Sequence, residues 1–173
     1  MKQRDAARHP PHIQGRFTER VHDPYKTRLK LHDLTVCPDC GALFHRGRWT
    51  WPSEPLPVDT PRERCQACHR MHDHYPAGWV MLSGNFLNTH RKEIIQLARH
   101  TEATEKTEHP LHRIMEIEDK DGVLTITTTD IHLPRRIGEA LHHAYHGILE
   151  FHYEPETYRI RVQWGRDSGT SKE

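Results

Sequence analysis

Residues 111–164 read LHRIMEIEDKDGVLTITTTDIHLPRRIGEALHHAYHGILEFHYEPETYRIRVQW. The period of this stretch changes twice. LHRIMEIED and VLTITTTD alternate as strands with one buried face do, and the Asp-Gly step in Lys120-Asp121-Gly122 between them signals a tight hairpin. Ile137, Ala140, Leu141, Ala144, Tyr145 and Ile148 then recur at helical spacing, with Pro134 tolerated in the opening turn and Gly147 as the stop. A second hairpin follows, ILEFHY and YRIRVQW about Glu154-Pro155-Glu156-Thr157. In it Tyr158, Ile160, Val162 and Trp164 point one way and Arg159, Arg161 and Gln163 the other.

Upstream, Leu87, Ile94, Ile95 and Ala98 lie near a helical stripe. Ser83 is placed to cap that helix, Glu102 to pair with Lys106, and His109-Pro110 to end it. The order from Ser83 is α-β-β-α-β-β. It predicts an α+β domain over residues 83–165, a four-stranded antiparallel sheet with two helices on one face. The open face should show Thr125, Thr127, Thr129, Glu150, His152, Arg159 and Arg161. Without paired aromatics, that face suits protein contact better than base stacking. Residues 166–173, RDSGTSKE, read as a disordered tail.

Before this domain the four cysteines of the chain form two C-x2-C pairs, Cys37/Cys40 and Cys65/Cys68, 24 residues apart. A thiolate pair at this gap presents both sulfurs to one ion, and two pairs close a tetrahedral site, so residues 34–82 are read as a zinc-ribbon-like module with one structural Zn2+. Gly41 allows the first turn to leave with positive φ. The spacer carries Pro52, Pro55, Pro57 and Pro61 and should be a loop between two knuckles. Proline-rich flanks and the repeated gap disfavour thioredoxin-like redox pairs or four reduced core cysteines. With all four positions taken by thiolates, no water site remains for a catalytic zinc.

The chain has 173 residues, 34% hydrophobic, with a mean hydropathy of −0.89, so part of it should lack a core. Its start is charged, and no stretch approaches the roughly 20 apolar residues of a membrane helix. The protein is therefore read as soluble and cytoplasmic. The net charge of +1 conceals 13 Lys/Arg against 8 Asp/Glu through Arg70 and 12 against 16 beyond it. Residues 1–33, with Arg16, Arg20, Lys26, Arg28 and Lys30, are read as a basic extended arm, either a solubilising tail or a segment that orders on nucleic acid.

Two accounts fit the arginines around the cysteines. Arg46, Arg48, Arg62, Arg64 and Arg70 could compensate the −2 charge of zinc held by four thiolates. Alternatively, Phe44, Arg46, Arg48, Trp49 and Trp51 interleave aromatic planes with guanidinium forks, the combination that RNA-binding surfaces use, and Arg62, Arg64 and Arg70 join them as RNA contacts. The 17 histidines raise a metalloenzyme reading, through His69, His72 and His74 after Cys68 or through Glu139, His142, His143 and His146 on a helix, with Glu93 and His90 on the other. No nucleophile with its base, phosphate-cradling glycine loop or paired-carboxylate site stands out. No catalytic residue is assigned, and the protein is read as not an enzyme.

GWVMLSGNFLNTHRKEI (78–94) and LTITTTDIHLPRRIGEALHHAYHGILEF (124–151), preceded by the two C-x2-C pairs, resemble the ribosome-binding core of the large-ribosomal-subunit nuclear-export adaptor (nonsense-mediated decay protein) family, in its short archaeal and bacterial branch. The likeness covers about Cys37 to Trp164, and its most specific piece is ITTTD followed by RRIGEAL-x2-AY. It implies a non-enzymatic protein that binds the ribosome or rRNA, on the large subunit, with Cys37, Cys40, Cys65 and Cys68 as zinc ligands. Beside the ribosome and its rRNA, ribosomal proteins or translation factors are candidate partners. Eukaryotic relatives carry extra cysteines and long C-terminal transport segments, so nuclear export does not transfer. Ribosome assembly, quality control or stress-time silencing (hibernation) is the expected setting. A zinc-ribbon adaptor for protein partners or transcription is the alternative.

Overall fold

A computed structural model of the protein describes residues 23–27 and 30–168. Arg16, Arg20 and Arg28, with most of the expected arm, lie outside the described residues. The chain opens with a small antiparallel sheet, β1 (Thr35–Val36), β2 (Leu43–His45) and β3 (Arg48–Thr50), followed by α1 (Gln66–Asp73). Then come β4 (Gly78–Ser83), α2 (Asn85–Glu108), β5 (Ile114–Lys120), β6 (Val123–Thr128), α3 (His132–Tyr145), β7 (Ile148–Glu154) and β8 (Arg159–Gly165).

The α+β layer has both helices on one face, but its sheet has five strands in the order β5-β6-β4-β8-β7, not four. The additional strand, β4, is the central one. It pairs antiparallel with β6 and parallel with β8, so the sheet is mixed. The chain therefore enters the sheet at Gly78, ahead of the expected boundary at Ser83. Strand β4 escapes an alternation test because both its faces are apolar: Val80 and Leu82 are buried in the core, while Trp79 and Met81 sit half-buried on the other face. A central strand reads as a continuous apolar run, and four such residues do not distinguish strand from helix.

Both expected hairpins form. Asp121 and Gly122 have φ of 52° and 78°, the left-handed pair that a two-residue turn requires. On β8, Ile160, Val162 and Trp164 are all buried, as their spacing predicts. They meet Leu87, Ile94 and Ala98 of α2 and Leu133, Ile137 and Leu141 of α3 in one core. Helix α3 lies so close to the sheet at Gly138 that a Cβ there would stand 2.7 Å from Val162 and 2.9 Å from Leu149. Only glycine allows that approach.

Four local expectations change. Ser83 ends β4, and Gly84 takes the N-cap of α2 without a side-chain cap. The exposed amides of that helix end are satisfied by the chain beyond β8: Asn85 N donates to Asp167 Oδ1 at 3.0 Å and Phe86 N to Arg166 O at 3.2 Å. Residues 166–168 are thus packed, with the Arg166 guanidinium 4.2 Å over the Phe86 ring, and 169–173 lie outside the described residues. Glu102 accepts from Ile114 N at 2.8 Å. Thr129, expected on the open face, is buried, donating to Leu111 O at 2.6 Å.

Candidate metal centre and adjoining groove

The Cys37 turn is closed by Gly41 N donating to Cys37 O (2.9 Å) and Cys37 N to Ala42 O (2.8 Å), with Gly41 at φ 79°. The proline-bearing spacer is the expected loop, and its end docks beside β1. Val36 N donates to Pro61 O at 2.8 Å and Glu63 N to Val36 O at 3.1 Å, a parallel bridge through Arg62. That bridge delivers Cys65 to Cys37. The second pair does not sit in a ribbon turn as expected: Cys65 is the N-cap of α1, and Cys68 lies in its first turn. Cys65 N donates to Cys37 Sγ at 3.4 Å and Cys68 N to Cys65 Sγ at 3.5 Å, so the helix N-terminus faces the sulfurs.

The four sulfurs lie within 4.8 Å of one another, and Cys40 and Cys65 are 3.9 Å apart. Sulfurs at tetrahedral corners around zinc, each about 2.3 Å from the ion, stand roughly 3.8 Å apart, so the donor set and its spacing fit one such ion. Hydrogen bonds from Cys65 and Cys68 push the Cys40 thiol down, while the shared protons push Cys65 and Cys68 up. Three sulfurs at this distance ionise together only around a cation. The four cysteines can thus hold a structural metal.

Charge compensation comes from a residue the sequence did not mark. Arg113 lies 45 residues beyond Cys68 and spans the site with one fork, Nη1 3.4 Å from Cys68 Sγ and Nη2 3.5 Å from Cys65 Sγ. Burial works against its charge, but the bond to Cys68 and the neighbouring sulfurs hold its pKa above the ordinary value. Arg113 N also donates to Thr129 Oγ1 at 3.1 Å, which ties it to the end of the sheet layer. With Trp51 Nε1 donating to Lys106 O at 2.6 Å, it locks the metal unit onto the end of α2.

The proposed RNA-contact residues separate. Arg70 is fully buried: Nη2 meets Asp23 Oδ1 at 2.6 Å, Nη1 donates to Tyr75 O at 3.0 Å, and the guanidinium lies 4.4 Å from the centre of the Tyr25 ring. Buried in this way it offers no surface to RNA, and it fastens residues 23–25, which were expected in an extended arm, onto α1. Trp51 is spent on the contact with α2. Exposed Arg62 is held in the spacer bridge, and Arg64, though it lines the groove formed by the remaining residues, pairs with Asp39 at 2.5 Å.

The rest converge. Strands β2 and β3 are joined by a two-residue turn, Arg46-Gly47 at φ 51° and 80°, which projects Arg46 and Arg48 into solvent. Together with Lys26, Lys30, Phe44 and Trp49 they line a groove of about 550 Å³. Phe44 and Trp49 pack edge to face at 5.5 Å, both half-buried. Asp33 and Glu63 also line the groove, but Asp33 is engaged by His45 at 3.1 Å and by Arg46 N at 2.8 Å. The guanidinium groups of Arg46 and Arg48 have no carboxylate partner among the described residues.

The histidine sets do not assemble. Among the described residues the four cysteines are the one group with metal-ligand spacing. His72 faces Asp73 and His74 faces Glu116, while Glu139 is taken by Arg135 at 2.9 Å. A different cluster lies where the end of α2 meets the start of α3. His112 Nδ1 stands 3.3 Å from Glu105 Oε2, and its Nε2 3.5 Å from Asp130 Oδ2. Asp130 Oδ2 caps α3 by accepting from His132 N (2.7 Å) and Leu133 N (3.0 Å). The cue in the sequence was an Asp just before a helical run.

Burial drives the His112 pKa down to about 3 and the Asp130 pKa up to about 7. Between about pH 4 and 6.5 the unfolded chain holds a proton on His112 and the folded protein holds one on Asp130, so the pair exchanges no net proton and its contributions cancel. Single substitutions should expose each half. In Asp130→Asn only the depressed histidine remains, and stability falls as pH drops through that window. In His112→Gln only the raised carboxyl remains, and stability rises instead. Urea unfolding at both ends of the window should show opposite changes of roughly 2 kcal/mol in the two variants. Parallel slopes would refute the pairing.

Comparison with protein families, curated proteins and solved structures returns no match for the chain. No helix among the described residues is long and apolar enough to cross a membrane.

Proposed function

We propose that this protein is a non-enzymatic, zinc-stabilised RNA-binding protein that docks on the large ribosomal subunit. The observation that carries the reading is the groove beside the metal centre, where the Arg46 and Arg48 guanidinium groups, without a carboxylate partner among the described residues, lie next to Phe44 and Trp49. Guanidinium groups grip phosphates, and aromatic faces take bases. The resemblance of residues 37–164 to a ribosome-binding core supports ribosomal RNA as the partner. Zinc serves as scaffold: four thiolates complete its shell, and the hairpin that it holds presents the contact residues. An assembly, quality-control or silencing role would use the same docking.

The test is co-sedimentation of the full, zinc-analysed chain with ribosomes across a salt series. One zinc per chain and binding that weakens at least tenfold between about 50 and 200 mM salt are expected, because phosphate contacts release counterions. Failure to sediment with ribosomes at low salt would sink the reading. It would move attention to the open sheet face, where Trp79 lies under Arg161 at 5.2 Å, as the surface of a protein adaptor.

A further inference from the structure

Resting on the RNA-binding reading, we infer that the groove is a seat for one or two unpaired nucleotides and excludes duplex RNA. Its volume of about 550 Å³ is that of a small-ligand pocket. An RNA helix offers phosphates, sugars and a shallow minor groove, but no free base face, so it would leave the rings of Phe44 and Trp49 unused. These rings line the groove while half-open to it. An unstacked base can lie against them.

The placement of charge supports the same occupant. Arg46 and Arg48 flank the hairpin turn, and Lys26 and Lys30 come from the segment before β1, so cations from two stretches of chain line the groove together with the aromatic pair. Cations and rings gathered in one groove match a strand whose phosphates meet the charges while its base turns onto the rings. Both carboxylates in the lining allow this: Asp33 is occupied by His45 and the Arg46 amide, and Glu63 can accept from a base or ribose donor. The seat sits on the metal-held hairpin, so the rings are fixed before the ligand arrives.

The experiment uses the full, metal-loaded protein with two probes of one composition, a short single-stranded RNA and a blunt RNA hairpin duplex, read by fluorescence anisotropy at fixed salt. The single strand should bind about tenfold or more tightly than the duplex. Trp49→Leu should erase most of that preference while the metal content stays at one ion per chain. Trp49 also packs against the cysteine cluster, so Phe44→Leu serves as the second ring variant. Arg48→Gln, at an exposed position with no salt bridge among the described residues, should weaken both probes together and lower the salt dependence. Equal affinity for single strand and duplex, or a preference that survives both ring variants, would overturn the seat and leave the RNA reading standing. Binding of neither probe would remove both.

Discussion

Stripping the metal should unfold residues 35–73 and leave the five-stranded sheet folded. The metal unit has little apolar core of its own to hold it. Its buried core consists of Cys37, Cys65 and Cys68 with Ala42 and Ala67, and its strands are two or three residues long. A segment of that size cannot bury enough apolar surface to fold alone, and structural zinc contributes about 10–16 kcal/mol to such units. Without the ion, the clustered thiols regain their protons and Arg113 faces neutral sulfurs. The α+β layer keeps its own core of aliphatic residues from five strands and two helices. Amide hydrogen exchange with and without chelator reads the outcome: protection at Cys37 and Cys68–Arg70 should vanish, while that at Val80, Ile126 and Val162 persists. Loss of protection at all sites together would mean that the two parts fold as one unit. Retained protection at the cysteines would mean that the metal is dispensable.

The second large effect lies at Arg70. Asp23→Ala should destabilise the protein by about 3–5 kcal/mol, the usual result of leaving one member of a buried ion pair alone. Arg70 cannot turn to water: it is fully buried and enclosed by Tyr25, Tyr75 and Tyr158. The double variant Asp23→Ala with Arg70→Met should recover much of the loss, because an apolar chain of similar length fills the space without a charge to satisfy. Urea titrations of both singles and the double close the cycle. A single Asp23→Ala costing under about 0.5 kcal/mol would show that the ion pair contributes nothing, contrary to its burial.

Much of the sheet domain was legible in the sequence because its elements advertise themselves locally. The Asp-Gly turn, the alternating β8 and the apolar spacing of α3 each need only neighbours in sequence to be recognised. The cysteine set was legible for the same reason, since two identical gaps with none left over leave few partners. What escaped depends on distance or on context. Arg113 reaches the sulfurs through the fold, and nothing near it in the sequence marks it. Arg70 looks like its neighbours Arg62 and Arg64 until burial separates them. Helix α1 has eight mostly polar residues whose start is a cysteine N-cap, so it was read as a knuckle. Strand β4 was hidden by its strength: an apolar run buried at the sheet centre shows no alternation.

The place of β4 also orders events during synthesis. Gly78 pairs with Ile160 and Leu82 with Trp164, so the middle of the sheet joins segments made far apart in time. The metal-binding turn and α1 emerge first and can collect their ion at once. Strand β4 follows with two open edges; one is covered when β6 arrives, the other only when the final strand leaves the exit tunnel. Until then an apolar ribbon with an unpaired edge is in solution, the condition under which nascent chains associate wrongly. Translation pauses or shortened chains that stop before Arg159 would leave β4 half-covered, a state that calls for chaperones.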